Sequence, residues 1–109
     1  MPIIMTHATY SPAGIKGVSQ DGGSKRKAVV KQMIEAAGGK LLAFYFAFGE
    51  TDVVIISEYP DNATAASITL AVGGTGVLSS FSSTVLITPE EMDAAAKKSV
   101  AYKPPGAKG

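Results

Sequence analysis

Residues Gly38 to Pro60 read GGKLLAFYFAFGETDVVIISEYP. Two apolar runs, Leu41 to Phe48 and Val53 to Ile56, are separated only by Gly49-Glu50-Thr51-Asp52. Short runs rich in aromatic and β-branched residues, joined by a turn containing Gly and Asp, read as a β-hairpin. The first run barely alternates between apolar and polar. A strand that is apolar on both sides belongs in a sheet buried on both faces. Helices of this chain suffice for one face only, and the simplest cover for the other is a second copy of the same sheet.

The rest of the chain supplies the partners of that hairpin. Ile3 to Tyr10 reads as a first strand, with Ile3, Met5 and His7 on one side and Ile4, Thr6 and Ala8 on the other. Ser11-Pro12-Ala13-Gly14 ends it as a turn, and Ile15 to Val18 has room for one helical turn. Val29, Val30, Met33, Ile34, Ala36 and Ala37 form an apolar stripe at helical spacing, which predicts a helix over 24–37. Ser24 is its expected cap and Gly38-Gly39 its stop. After the hairpin, Asp61 is placed to cap a helix over 62–72, built mostly of small residues that allow close approach to a sheet. Residues 77–87 predict a fourth strand, hydroxyl-rich at its centre, which suits an edge or a wet cavity. Thr88-Pro89-Glu90-Glu91 is a capping-box sequence opening a last helix toward Lys98. The order βαββαβ plus a C-terminal helix predicts an α+β, ferredoxin-like fold. It has a four-stranded antiparallel sheet with helices on one face. Residues 1–101 make the domain, and 102–109 (YKPPGAKG) a Pro/Gly-rich tail, extended or disordered.

Composition narrows the function classes. A chain of 109 residues is one domain, and 46% apolar residues are ample for its core. The net charge of +1 argues against a nucleic-acid binder, which carries a basic excess. No stretch approaches the ~20 apolar residues of a membrane span, and the N-terminus lacks signal-peptide organisation. Without cysteine there is no disulfide framework, thiolate nucleophile or cysteine metal site, which is neutral about compartment; with no signal peptide or membrane span, the expected location is cytoplasmic. No metal motif or nucleotide fingerprint is present, and no cofactor or metal is expected. Gly73-Gly74-Thr75-Gly76 follows a helix and precedes a strand, the reverse of a dinucleotide-binding loop.

Four stretches resemble the GYD-domain family: 21–41, 44–66, 73–92 and 99–106, together about two-thirds of the chain. The family is grouped with the dimeric α+β barrels and has no assigned biochemical activity. The family's hairpin turn shows Gly followed by Tyr-Asp; here Gly49, Glu50 and Asp52 are in place, and Thr51 stands at the tyrosine position. A role of that tyrosine ring is therefore absent or altered. The resemblance implies two sheets packed face to face, in a homodimer or a multiple of dimers.

Several residues carry chemistry, each with a plainer alternative. Glu50 and Asp52 either rim a cavity, with Asp52 as acceptor or general base, or serve the turn, with Asp52 bonding nearby amides. His7, the one histidine, is either a proton shuttle on an inter-sheet cavity or a structural side chain. Tyr10, Tyr45 and Tyr59, with Phe44, Phe46, Phe48 and Phe81, line a pocket or fill core and interface. Phe44, Phe46 and Phe48 fall on one side of the second strand and are expected in the inter-sheet core; Leu41, Ala43, Tyr45 and Ala47 then face the helices. Ser24, Lys25 and Arg26 bring cations to a helix start, which reads as an anion site or a solvated basic turn. The expected pocket lies between sheet and helices or between two sheets, near His7, Tyr45, Asp52, Ser80 and Ser82.

Two functions compete. One is a homo-oligomeric small-molecule-binding or structural module. The other is a cofactor-independent oxygenase or isomerase on a small aromatic or carbonyl compound, with His7 moving the proton and Asp52 orienting it. Oxygenases of the dimeric barrel fold set Asn, Trp and His around an activated phenol, and only His7 could match that set. In a third reading the tail reaches a neighbouring subunit.

Overall fold

The alternation of the first strand is realised as β1 (Ile3–Tyr10) in a computed structural model that describes residues 1–106. The other strands are β2 (Lys40–Phe46), β3 (Val53–Glu58) and β4 (Leu78–Leu86). They form one antiparallel sheet in the order β2-β3-β1-β4, with β4 at an edge. Helices α1 (Pro12–Asp21), α2 (Gly23–Ala36), α3 (Asn62–Gly73) and α4 (Pro89–Ala96) complete the α+β chain. This is the ferredoxin-like order. No described helix is long and apolar enough to cross a membrane. Residues 107–109 of the expected tail lie outside the described residues.

Opposed residues in a ladder share a face. Ile4 and Ala8 of β1 are buried on the helix side, as are Val53 and Ser57 of β3. Ile4, Ile34 and Tyr59 form one small core under α2, and Ala8, Phe44 and Val53 another. Ser57 donates to the Tyr59 hydroxyl at 3.0 Å, which satisfies both buried groups.

Leu41 faces the helices as expected, but beyond it the two faces of β2 are the reverse of the sequence expectation. A bulge between Leu41 and Ala43 inserts one extra residue into β2. Such an insertion exchanges the faces of everything beyond it. Leu41 and Phe44 therefore both turn toward the helices, and Phe46 lays its ring against Gly23. Tyr45 is on the opposite face and 70% exposed. Phe48 is not in the strand at all; it stands fully exposed in the turn.

Two helix starts also differ. Ser11-Pro12-Ala13-Gly14 begins a ten-residue helix instead of closing a turn. Ser11 Oγ accepts the Gly14 N–H at 3.2 Å, and Pro12 occupies the first position, where its missing N–H costs nothing. Gly14 is needed there because a Cβ would collide with the Val77 carbonyl oxygen. For α2 the cap is Gly22, at φ 81°, with no side-chain cap bond, so Ser24 lies inside the helix. The remaining caps follow the sequence: Asp61 accepts from both donors of Thr64 at 2.7 Å each, and Thr88 and Glu91 form the reciprocal capping box.

Candidate functional site

The helix side of the sheet is incompletely filled. Helix α2 packs on β2, and Ile34 is buried. Helix α3 has no buried residue and stands further from the sheet. Its inward side chains are Ala65, Ile68, Thr69 and Val72, and they face the small residues Thr6 and Ala8 of β1. Small opposing small leaves a void, and a chamber of about 150 Å³ results. Its walls are apolar apart from a few groups: the hydroxyls of Thr6, Thr69, Ser57, Tyr59 and Tyr10, and the Arg26 guanidinium.

Tyr10 and Arg26 also line a smaller cavity of about 90 Å³ under α1, and so stand between the two spaces. Burial raises the Tyr10 phenol above its ordinary pKa; Arg26 opposes that rise and Asp52 adds to it. The Arg26 head is paired with Asp21 at 3.6 Å, and Lys25 reaches the same carboxylate at 3.7 Å. One acid thus answers two cations. Of the expected anion site, Arg26 alone reaches the chamber, while Ser24 and Lys25 are exposed at the helix start.

Asp52 acts as a joint. Its Oδ2 accepts the Tyr10 N–H at 2.9 Å. Its own N–H donates to the Ala8 carbonyl at 2.8 Å, and its carbonyl accepts from Ala47 at 2.8 Å. The carboxylate does bond a backbone amide, but one on β1, outside the turn, so it ties the hairpin to the first strand. Glu50 contributes its carbonyl, which accepts the Thr9 hydroxyl at 3.3 Å.

The other expected residues gather on the opposite face. Register aligns Tyr45, Val54, His7 and Ser82 in one row across all four strands, with Ser80 opposite Thr9 in the adjoining row. Ile3, Met5, Ile56 and Leu86 surround this row, half-covered. His7 lines neither cavity of the single chain. The expected pocket is thereby divided: Tyr10 and Arg26 on the helix side, His7, Tyr45, Ser80 and Ser82 on the open side, and Asp52 at their shared edge. Among the described residues, no group of three or more His, Cys, Asp or Glu side chains is placed to hold a metal ion.

Sequence reasoning missed the chamber walls on α2 and α3, chiefly Val29, Met33, Ile68 and Val72. The available signal was the coincidence of a small-residue helix with a small-residue strand centre, which predicts space as readily as close packing.

A family model described as GYD domain matches residues 4–96. Compared with curated proteins, the chain finds no match.

Proposed function

The chain belongs to the GYD-domain family, and on that footing we propose that it is a homo-oligomeric small-molecule-binding module. Its ligand sits between the helices and the sheet. The observation that carries this reading is the apolar chamber of about 150 Å³ with Arg26 and Tyr10 at one end. A cavity of that size has room for about one six-carbon ring. An apolar body fits the walls, and an acidic group fits Arg26, whose fork matches a carboxylate. The ligand class is therefore a small aromatic or aliphatic acid.

Two copies pair through their open sheet faces, as a dimeric α+β barrel. The half-covered Ile3, Met5, Ile56 and Leu86 favour this, because apolar side chains gathered on an open face mark interaction sites. The reading places the protein in the cytoplasm, where cell fractionation would recover it with the soluble fraction. An oxygenase or isomerase role is the second reading. It requires the partner sheet to enclose His7 beside Tyr45 and Ser82.

Thermal-shift measurements with benzoate, hexanoate, benzyl alcohol and hexanol test the chamber. The acids are expected to stabilise the protein more than the alcohols, and Arg26→Gln to abolish the difference. No shift with any of the four, across millimolar concentrations, would remove the chamber as a binding site.

A further inference from the structure

The chain has more surface than its own fold can account for. A folded monomer of 11.2 kDa exposes about 5,700 Å², whereas this chain exposes 7530 Å². Its radius of gyration is 17.7 Å, against about 13 Å for a compact domain of this length. The longest dimension, 62 Å, is twice the next. The cause is the segment after β4. Every residue from Pro89 to Gly106 is exposed, and no residue of α4 is buried.

This arm is nonetheless built to be held. The capping box fixes its start, with Glu91 N–H on Thr88 at 3.1 Å and Thr88 N–H on Glu91 at 3.0 Å. Met92, Ala95 and Ala96 share one helix face, three and four positions apart. Met92, Val100 and Tyr102 are 56%, 81% and 76% exposed. A short helix without tertiary packing is marginal in water, because nucleation is costly and packing supplies most helical stability.

We infer that the C-terminal arm, Pro89 to Gly106, docks on a second copy of this chain and clasps it. The surplus of about 1,800 Å² is roughly twice the ~800 Å² that each partner buries in a standard interface. Under two-fold symmetry each copy clasps the other, so a single apolar stripe is used twice. The inference is independent of the chamber and rests on the homo-oligomer reading.

The chain has no cysteine, so Asp93→Cys, three positions before Ala96, gives a unique site for a nitroxide at the border of the apolar stripe. Its mobility is read by electron spin resonance across a dilution series, with native mass spectrometry reporting subunit number on the same samples. The expected result is a slow label wherever the protein is dimeric and a fast one once it dissociates. Met92→Asp should raise the dimer dissociation constant by about tenfold or more, as for a buried interface anchor, with the far-UV circular dichroism of the sheet domain unchanged. A fast label in an intact dimer would overturn the clasp and leave sheet pairing standing. A slow label in a monomer would mean that the arm folds onto its own chain, and would also overturn it. A monomer with a fast label at every concentration would overturn both readings.

Discussion

Replacing Asp52 by Ala decides whether this carboxylate is a structural joint or a group held free for chemistry. The side chain gives one charge-assisted bond, Oδ2 to the Tyr10 N–H at 2.9 Å, in a partly buried setting. Hydrogen bonds to charged groups contribute about 1.5–3 kcal/mol. Water can reach the edge of this site and satisfy part of the Tyr10 donor, so the expected cost of Asp52→Ala is about 2 kcal/mol, within that range. For a domain of this size the loss corresponds to a fall in melting temperature of roughly 9 °C. Asp52→Asn keeps a neutral acceptor in place and should lose about half as much, since neutral bonds are about half as strong. Glu50→Ala is the control, because it is the Glu50 carbonyl that holds Thr9, and it should stay within about 0.5 kcal/mol of the parent. Urea unfolding followed by circular dichroism measures all three. A fully stable Asp52→Ala protein, or a Glu50→Ala protein equally weakened, would refute the joint and return Asp52 to the candidates for catalysis.

Titrating the four tyrosines by phenolate absorbance should find Tyr10 ionising above its ordinary value, because burial disfavours the phenolate. Arg26→Gln should move it higher still and Asp52→Asn lower; a Tyr10 transition that ignores both would contradict the wall described. Asp61, held by the Thr64 amide and hydroxyl, has its carboxyl pKa lowered. The unfolded chain then binds more protons between the two pKa values, so the stabilisation is present above the ordinary carboxylate range and fades as pH falls through the lowered folded value. The stability difference between parent and Asp61→Asn should accordingly shrink on acidification, and a constant difference would refute the assignment. Gly14→Ala should cost about 1–3 kcal/mol as its Cβ meets the Val77 carbonyl. Gly17→Ala, with nothing near its Cβ, should gain about 0.5–1 kcal/mol of helix propensity; equal effects at the two positions would show that α1 does not seat against Val77, the residue before β4.

Which parts of this were legible in the sequence follows from the range of each signal. The hairpin, the Asp61 cap and the Thr88–Glu91 box are local patterns, and each forms where its residues predict. The face of Phe44 is not local. It depends on the one-residue bulge at Leu42, which is set by how β2 registers on Ser57 and Ile56 of β3. Helix α1 was hidden because Gly14 and Gly17 lower its propensity, while Ser11 and Pro12, which start it, also signal a turn. His7, Tyr45 and Ser82 could each be nominated singly. Their alignment in one row needs the order β2-β3-β1-β4 together with the register, and neither is written in any one segment.

The two faces are joined at one end of β1, and this gives the hairpin turn a role beyond connection. Thr9 points to the open face and is tied to the Glu50 carbonyl; Tyr10 points to the chamber and is tied to the Asp52 carboxylate. Successive residues of a strand face opposite ways, so one loop holds both sides of the sheet at adjacent positions. A partner sheet pressing on the open face would bear on Glu50 and Thr9. The same displacement would act through Asp52 on the Tyr10 wall and on Arg26 beyond it. Gly49 and the fully exposed Phe48 lie in the segment that must move. If copies pair through this face and the chamber takes a ligand, as proposed, the two events would be linked through a joint of two hydrogen bonds. By thermodynamic reciprocity, a ligand that tightens the dimer must itself bind more tightly to the dimer than to the free chain.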